Sequence, residues 1–217
     1  SFPIVFGVVV RVFPAEKRMV ALGVTGAAGS FGQFVMLPYG QFLINLLGWQ
    51  QSLLVLAATV ALITPLSFVM SEVRSPIGAK AQQSISEALR EAFGHRSYIL
   101  LCSGYWVCGF QLMFISIHFP AFLTDRGMTA ETGMTALALI GLFNVLGTLS
   151  AGILGGRFSK KYLLSTIYIV RAGLISMLVF LPLSPATLYT FACGIGLLWL
   201  STVPLTNGLV GQIFGMR

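Results

Sequence analysis

The sequence predicts an all-α integral membrane protein, and three observations carry that reading. Of its 217 residues, 13 are basic and 6 acidic, so 9% are charged; a soluble domain carries about 25%. Hydrophobic residues reach 56%, and the mean hydropathy is +0.89. Six apolar runs attain the roughly 20 residues that a helix needs to cross a bilayer. So little charge cannot cover a water-facing surface, which excludes a soluble enzyme. The net charge of +7 does not point to nucleic acid, because the charges fall in short clusters between apolar runs.

Taken in order, the runs are 21–49, 51–71, 97–124, 133–156, 162–183 and 185–214. The opening SFPIVFGVVV is too short to span and reads as the end of a seventh helix, giving six full spans plus part of another. It lacks Met, a basic leader and a small-residue cleavage site, so it is not a signal peptide. Both termini read as cuts in a longer chain. Pro38, Pro120 and Pro204 are expected kinks, tolerable in lipid where neighbours satisfy the freed carbonyls. Cys102, Cys108 and Cys193 lie inside apolar runs and read as small buried residues.

The connections alternate in charge. Arg11, Lys17, Arg18, Arg74, Lys80, Arg90, Arg96, Arg157, Lys160, Lys161 and Arg217 fall on one side, whereas Arg126 is alone on the other. The positive-inside rule makes the basic side cytoplasmic. The long third connection divides the chain into 1–71, a linker at 72–96, and 97–217. Within the linker, Ser84 and Glu87 have the spacing of a capping box. Ile85, Leu89 and Phe93 recur at spacing four, predicting a short amphipathic helix on the membrane surface.

Two patterns concern packing. SFPIVFGVVVRVF at the start pairs with TVPLTNGLVGQIF at an offset of 201, which suggests duplicated parallel halves. Gly23, Gly26, Gly29 and Gly32 recur every third residue, a small-residue ridge expected to let another helix approach closely.

GILGGRFSKK at 152–161 reads either as a generic basic stop after a span or as something more specific. It resembles the loop signature of the major facilitator superfamily, G-x-x-x-D-R-x-G-R-K, through Gly152, Arg157, Lys160 and Lys161; Gly156 and Ser159 depart from it. RVFPAEKRMVALG and GSFGQFVMLPYG resemble that superfamily's segments around helices four and five. The resemblance covers the whole chain, from part of helix four through helix ten of twelve. It implies a partial helical bundle of that superfamily and a secondary transporter of a small organic solute by alternating access, in the cell's inner (plasma) membrane. The texture of HFPAFLTDRGMTAETG and LLWLSTVPLTNGL resembles bacterial relatives of the monocarboxylate porters. That subfamily often carries an Asp and an Arg in helix eight, where this chain has Asn144 and Thr148. The rival reading is a non-transporting receptor on the same fold.

Polar residues deep in lipid are costly and mark candidate sites. Arg171 lies about 13 Å into the ninth helix at 1.5 Å per residue, either as an anion-binding charge or as a structural cation. Gln111 and His118 share a face of helix seven with Gly104. Trp199, Thr202 and Thr206 share a face of helix ten by i, i+3, i+7 spacing, and Asn207 lies beside them. With Asn144 and Thr148 these are the substrate-binding candidates. Each has a plainer reading, as packing or as a hydroxyl or amide bonded to its own helix. The implied partners are a small-molecule substrate and the lipid bilayer, with a coupling proton or counter-substrate as a further candidate, and no nucleic acid. The six acids lie in or beside connections, and no catalytic set, metal cluster or cofactor motif is visible.

The charge asymmetry makes a direct prediction. In intact cells, a cysteine introduced beside Lys80 should resist a membrane-impermeant thiol reagent, and one beside Asp125 should react. The reverse pattern would invert the topology.

Overall fold

A lipid-facing backbone must satisfy its own hydrogen bonds, and the helix is the element that does so within one segment. In the computed structural model, which describes residues 2–65 and 84–214, the chain accordingly forms helices joined by short connections. They are α1 (Phe2–Val12), α2 (Ala15–Ala61), α3 (Ile85–Gly94), α4 (Arg96–Asp125), α5 (Ala130–Arg157), α6 (Lys160–Phe180), α7 (Pro185–Leu198) and α8 (Thr202–Phe214). Five stretches are long and apolar enough to cross a membrane: Glu16–Pro65, Arg96–Asp125, Glu131–Arg157, Lys160–Phe180 and Pro185–Phe214. Residues 66–71 of the second expected run and 72–83 of the linker lie outside the described residues.

The turn between the first two runs falls at Gly48, which breaks α2 at φ 74° and ψ 170°, in the left-handed region that only glycine enters without strain. The last run is one candidate span, Pro185–Phe214, interrupted between α7 and α8 across Trp199–Ser201, just before Pro204. Pro38 and Pro120 lie inside α2 and α4. The linker helix forms as its spacing predicts. Ser84 Oγ accepts from Glu87 N, and Glu87 Oε2 accepts from Ser84 N at 3.0 Å. Leu89 and Phe93 on it are exposed.

The most extensive helix pairing joins α2 to α5, followed by α5 with α7. Glycines bring these backbones together, but the expected ridge is corrected. A Cβ on Gly23 would lie 2.8 Å from Gly152 Cα, and one on Gly26 would lie 2.5 Å from the Thr148 methyl. Gly29 is exposed, and Gly32 has open space around it. A spacing of three falls about 60° short of a full turn at each step, so four glycines cannot share one face. The buried face continues instead through Ala27 and Ser30. The sequence repeat matches helix to helix, since α1 and α8 cover its two copies.

Two apolar clusters result. One gathers Phe119, Leu123, Ile140, Phe191, Ile195 and Trp199 from α4, α5, α7 and the break. The other gathers Phe6, Met19, Leu22, Leu164, Val203 and Leu205. Leu200 packs against both, so the break lies where the clusters meet.

The α5–α7 contact is tight enough to test. A Cβ on Gly147 would collide with the Leu197 carbonyl, whereas Gly173 on α6 has open space around it. Gly147→Ala should destabilise the protein by about 1–3 kcal/mol, the usual cost of overpacking. Gly173→Ala should be neutral or slightly stabilising. Thermal unfolding of both variants checks this, and equal midpoints would refute the close approach.

Candidate functional site

Pro204 has no N–H to give the Leu200 carbonyl, so that carbonyl loses its usual helical donor. Val203 N turns to Leu200 O instead, at 3.0 Å. The carbonyls of Leu198 and Trp199 and the amide of Leu200 are left without helical partners inside a dry interior. Side chains from two other helices supply them.

Arg171, 1% exposed on α6, donates through one terminal nitrogen to the Leu198 carbonyl and, at 2.6 Å, to the Trp199 carbonyl. Its other terminal nitrogen donates to Cys108 Sγ on α4 at 3.1 Å. Cys108 in turn lies 3.3 Å from Thr202 Oγ1. The planar guanidinium reaches two carbonyls and a sulfur at once because its donors form a fixed fork. Tyr168, one turn earlier on α6, donates its hydroxyl to Gly104 O at 2.8 Å and so aligns α6 on α4.

Asn144 comes from α5. Its Oδ1 accepts from Leu200 N at 3.0 Å. Thr148 Oγ1, one turn on, donates to Asn144 O at 2.8 Å and lies 3.2 Å from Asn144 Oδ1. Asn144, Thr148 and Thr202 are fully buried. Two donors in this cluster have no partner among the described residues, Asn144 Nδ2 and Arg171 Nε.

The structure therefore gathers Arg171, Asn144, Thr148, Thr202 and the Trp199 backbone into one buried polar cluster. Of the face expected from Trp199, Thr202 and Thr206, the first two are buried and the third is half-buried, with a turn interrupting the helix between Trp199 and Thr202. The Trp199 ring packs in the apolar cluster with Phe191 and Ile195. Thr206 and Asn207 are half-buried one turn further along, and Asn207 Nδ2 bonds back to Val203 O at 2.8 Å. Trp106 is 73% exposed and stacks on Phe110.

Gln111 and His118 lie elsewhere, on a groove of about 590 Å³ between α4, α6 and α7 that also takes in Asp125. Gln111 Oε1 is buried there without a partner among the described residues. The His118 ring lies 4.9 Å from that of Phe114. In the loop signature, Gly152 packs on α2, and Lys160 lays its alkyl chain near Gly208 of α8. Arg157 is exposed, and the Lys161 ammonium lies 5.8 Å over the Tyr162 ring. Cys108 and Tyr168 were not singled out as site residues from sequence. Cys108 lies four residues after Gly104 and three before Gln111, so its place on that face was available.

Three comparisons bear on what this arrangement serves. The sequence profile of the family described as Major Facilitator Superfamily matches residues 1–217. A protein of Bacillus subtilis (strain 168), described as "Uncharacterized MFS-type transporter YcxA", is 25% identical over 229 aligned positions. The match covers 94% of this chain and 54% of that relative, so the chain spans about half the relative's length. No solved structure matches.

The clamp predicts how the arginine behaves. Arg171→Gln removes a donor fork and leaves buried carbonyls unpaired, at about 1–3 kcal/mol for each group. The variant should lose expression and thermal stability. A well-folded Arg171→Gln protein with selectively weakened anion binding would instead make the guanidinium a substrate ligand.

Proposed function

This chain belongs to the major facilitator superfamily, and on that premise we propose that the protein is a secondary transporter. Its cargo is a small organic solute, with a monocarboxylate or other organic anion as the substrate class. Residues 1–71 end the first half, 72–96 link the halves, and 97–217 begin the second. The halves rock about the α2–α5 contact, and the site opens to one side of the cell's inner membrane at a time.

One observation carries the substrate class. Arg171 holds a full positive charge inside the bundle against carbonyls and a thiol. The chain's acids, Glu16, Glu72, Glu87, Glu91, Asp125 and Glu131, lie in or beside connections. Arg171 is thus the fixed charge buried within the described bundle, while Asp125 lies at the rim of the groove. A charge in a low-dielectric interior favours a carboxylate over a neutral solute. The guanidinium acts through space, since its terminal nitrogens are committed to the break.

Gln111 and His118 on the groove, and Thr206 and Asn207 beyond the break, are the side chains proposed to meet the solute. Asn144, Thr148, Thr202 and Trp199 shape the site from behind. Asn144 and Thr148 carry no titratable group, so a coupling proton would travel by other residues, and a counter-substrate is the alternative coupling partner.

Counterflow in proteoliposomes tests this reading, with labelled lactate against its neutral amide as probes. The anion should exchange faster than the amide. Equal rates would unseat the anion class. Binding without exchange would make the protein a receptor.

A further inference from the structure

The clamp on the break is joined to the contact between the halves by two side chains. Thr148 stands in both places. Its methyl occupies the space against Gly26 of α2, where an added Cβ would lie 2.5 Å away. Its hydroxyl donates to Asn144 O at 2.8 Å and lies 3.2 Å from Asn144 Oδ1. Asn144 Oδ1 takes the Leu200 amide at 3.0 Å, beside the two carbonyls that Arg171 holds. Both side chains are fully buried, so neither can exchange its bonds for water.

We propose that Thr148 and Asn144 are positioning residues that couple the α2–α5 contact to the unwound turn at Trp199–Ser201, so that a shift between the halves tightens or loosens the turn. This rests on the alternating-access reading above. The physical content is a continuous path with a stiff first member. Threonine is β-branched and has few rotamers. When Gly26 moves against the methyl, the hydroxyl on the same Cβ moves with it. The bond to Asn144 then strengthens or breaks, and the Leu200 amide gains or loses its acceptor. A chain of packed groups carries coupling only where both ends respond together, and each end here can be perturbed separately.

A native reporter lies at the far end. Cys108 Sγ is held between Arg171 and Thr202, and the residue is 3% exposed. With Cys102 and Cys193 replaced by serine, N-ethylmaleimide alkylation of Cys108 in native membranes reads opening of the turn. Thr148→Val keeps the volume and removes the hydroxyl. It should speed alkylation by about fivefold, the effect of one neutral hydrogen bond lost. Thr148→Ser keeps the hydroxyl and should stay near the parent rate. Gly26→Ala, which presses on the methyl from the other half, should also speed alkylation. Gly26→Ala combined with Thr148→Ser should return it to the parent rate, because the struck methyl is gone.

If Gly26→Ala fails to fold, the Thr148→Val and Thr148→Ser pair still decides. An unchanged rate in Thr148→Val, or equal acceleration in both threonine variants, overturns the coupling. A Gly26→Ala protein that folds but leaves Cys108 unaffected also overturns it. The labelling needs no substrate. A protein that labels as expected yet exchanges no lactate would unseat the transport reading alone.

Discussion

An unwound turn inside a bilayer leaves backbone groups that lipid cannot satisfy, and the architecture of this chain is arranged around one such turn. Pro204 removes a donor, the helix opens across Trp199–Ser201, and the bare carbonyls and amide would each cost several kcal/mol in hydrocarbon. The remedy comes from side chains that would themselves be costly alone. Arg171 supplies donors to two carbonyls, and Asn144 supplies an acceptor to the Leu200 amide. Each group offsets the desolvation of the other. The break and the buried arginine therefore have a single explanation.

The rest of the packing follows from holding those groups in place. Asn144 can reach Leu200 only if α5 and α7 approach closely, and Gly147 and Gly196 permit that approach by presenting no side chain to the Leu197 and Ile140 carbonyls. Arg171 can reach the turn because α6 packs against α7 and α8, and Tyr168 and Cys108 add hydrogen-bonded ties to α4. A lysine could not replace it, since a single ammonium cannot span two carbonyls and a sulfur in one fixed plane. α5 is shared by both arrangements: one face meets α2 through Gly152 and Thr148, and another meets α7.

Much of this was legible in the sequence. The spans, the basic connections and the linker helix follow from hydropathy, charge and a capping-box spacing, which are local signals. Arg171 stood out because charge at that depth is rare. The site was less legible, for reasons that are also physical. Asn144 and Thr148 were marked by comparison with a charged pair, and nothing local shows that Asn144 bonds to a backbone 56 residues onward while Thr148 bonds back to Asn144. Trp199 caps α7, and a turn separates it from Thr202 and Thr206 on α8. The glycine ridge failed on register, since a period of three drifts around a helix of 3.6 residues per turn. Proline was read as a kink, and its effect is a true interruption only because distant side chains stand ready to satisfy it.

The clamp also bears on how the chain is made. A ribosome delivers α6 before α7, so Arg171 reaches the membrane 27 and 28 residues ahead of the carbonyls that hold it. An isolated arginine at a helix centre costs about 2.5–3.5 kcal/mol on insertion scales. The tyrosine and cysteine it meets on α4 and α6 offset only part of that. Helix α6 therefore gains its full stability in lipid only once the following broken helix has entered beside it. The two must settle as a pair, and the order of synthesis leaves a short interval in which α6 is held by its neighbours at the insertion machinery and not by its own hydrophobicity.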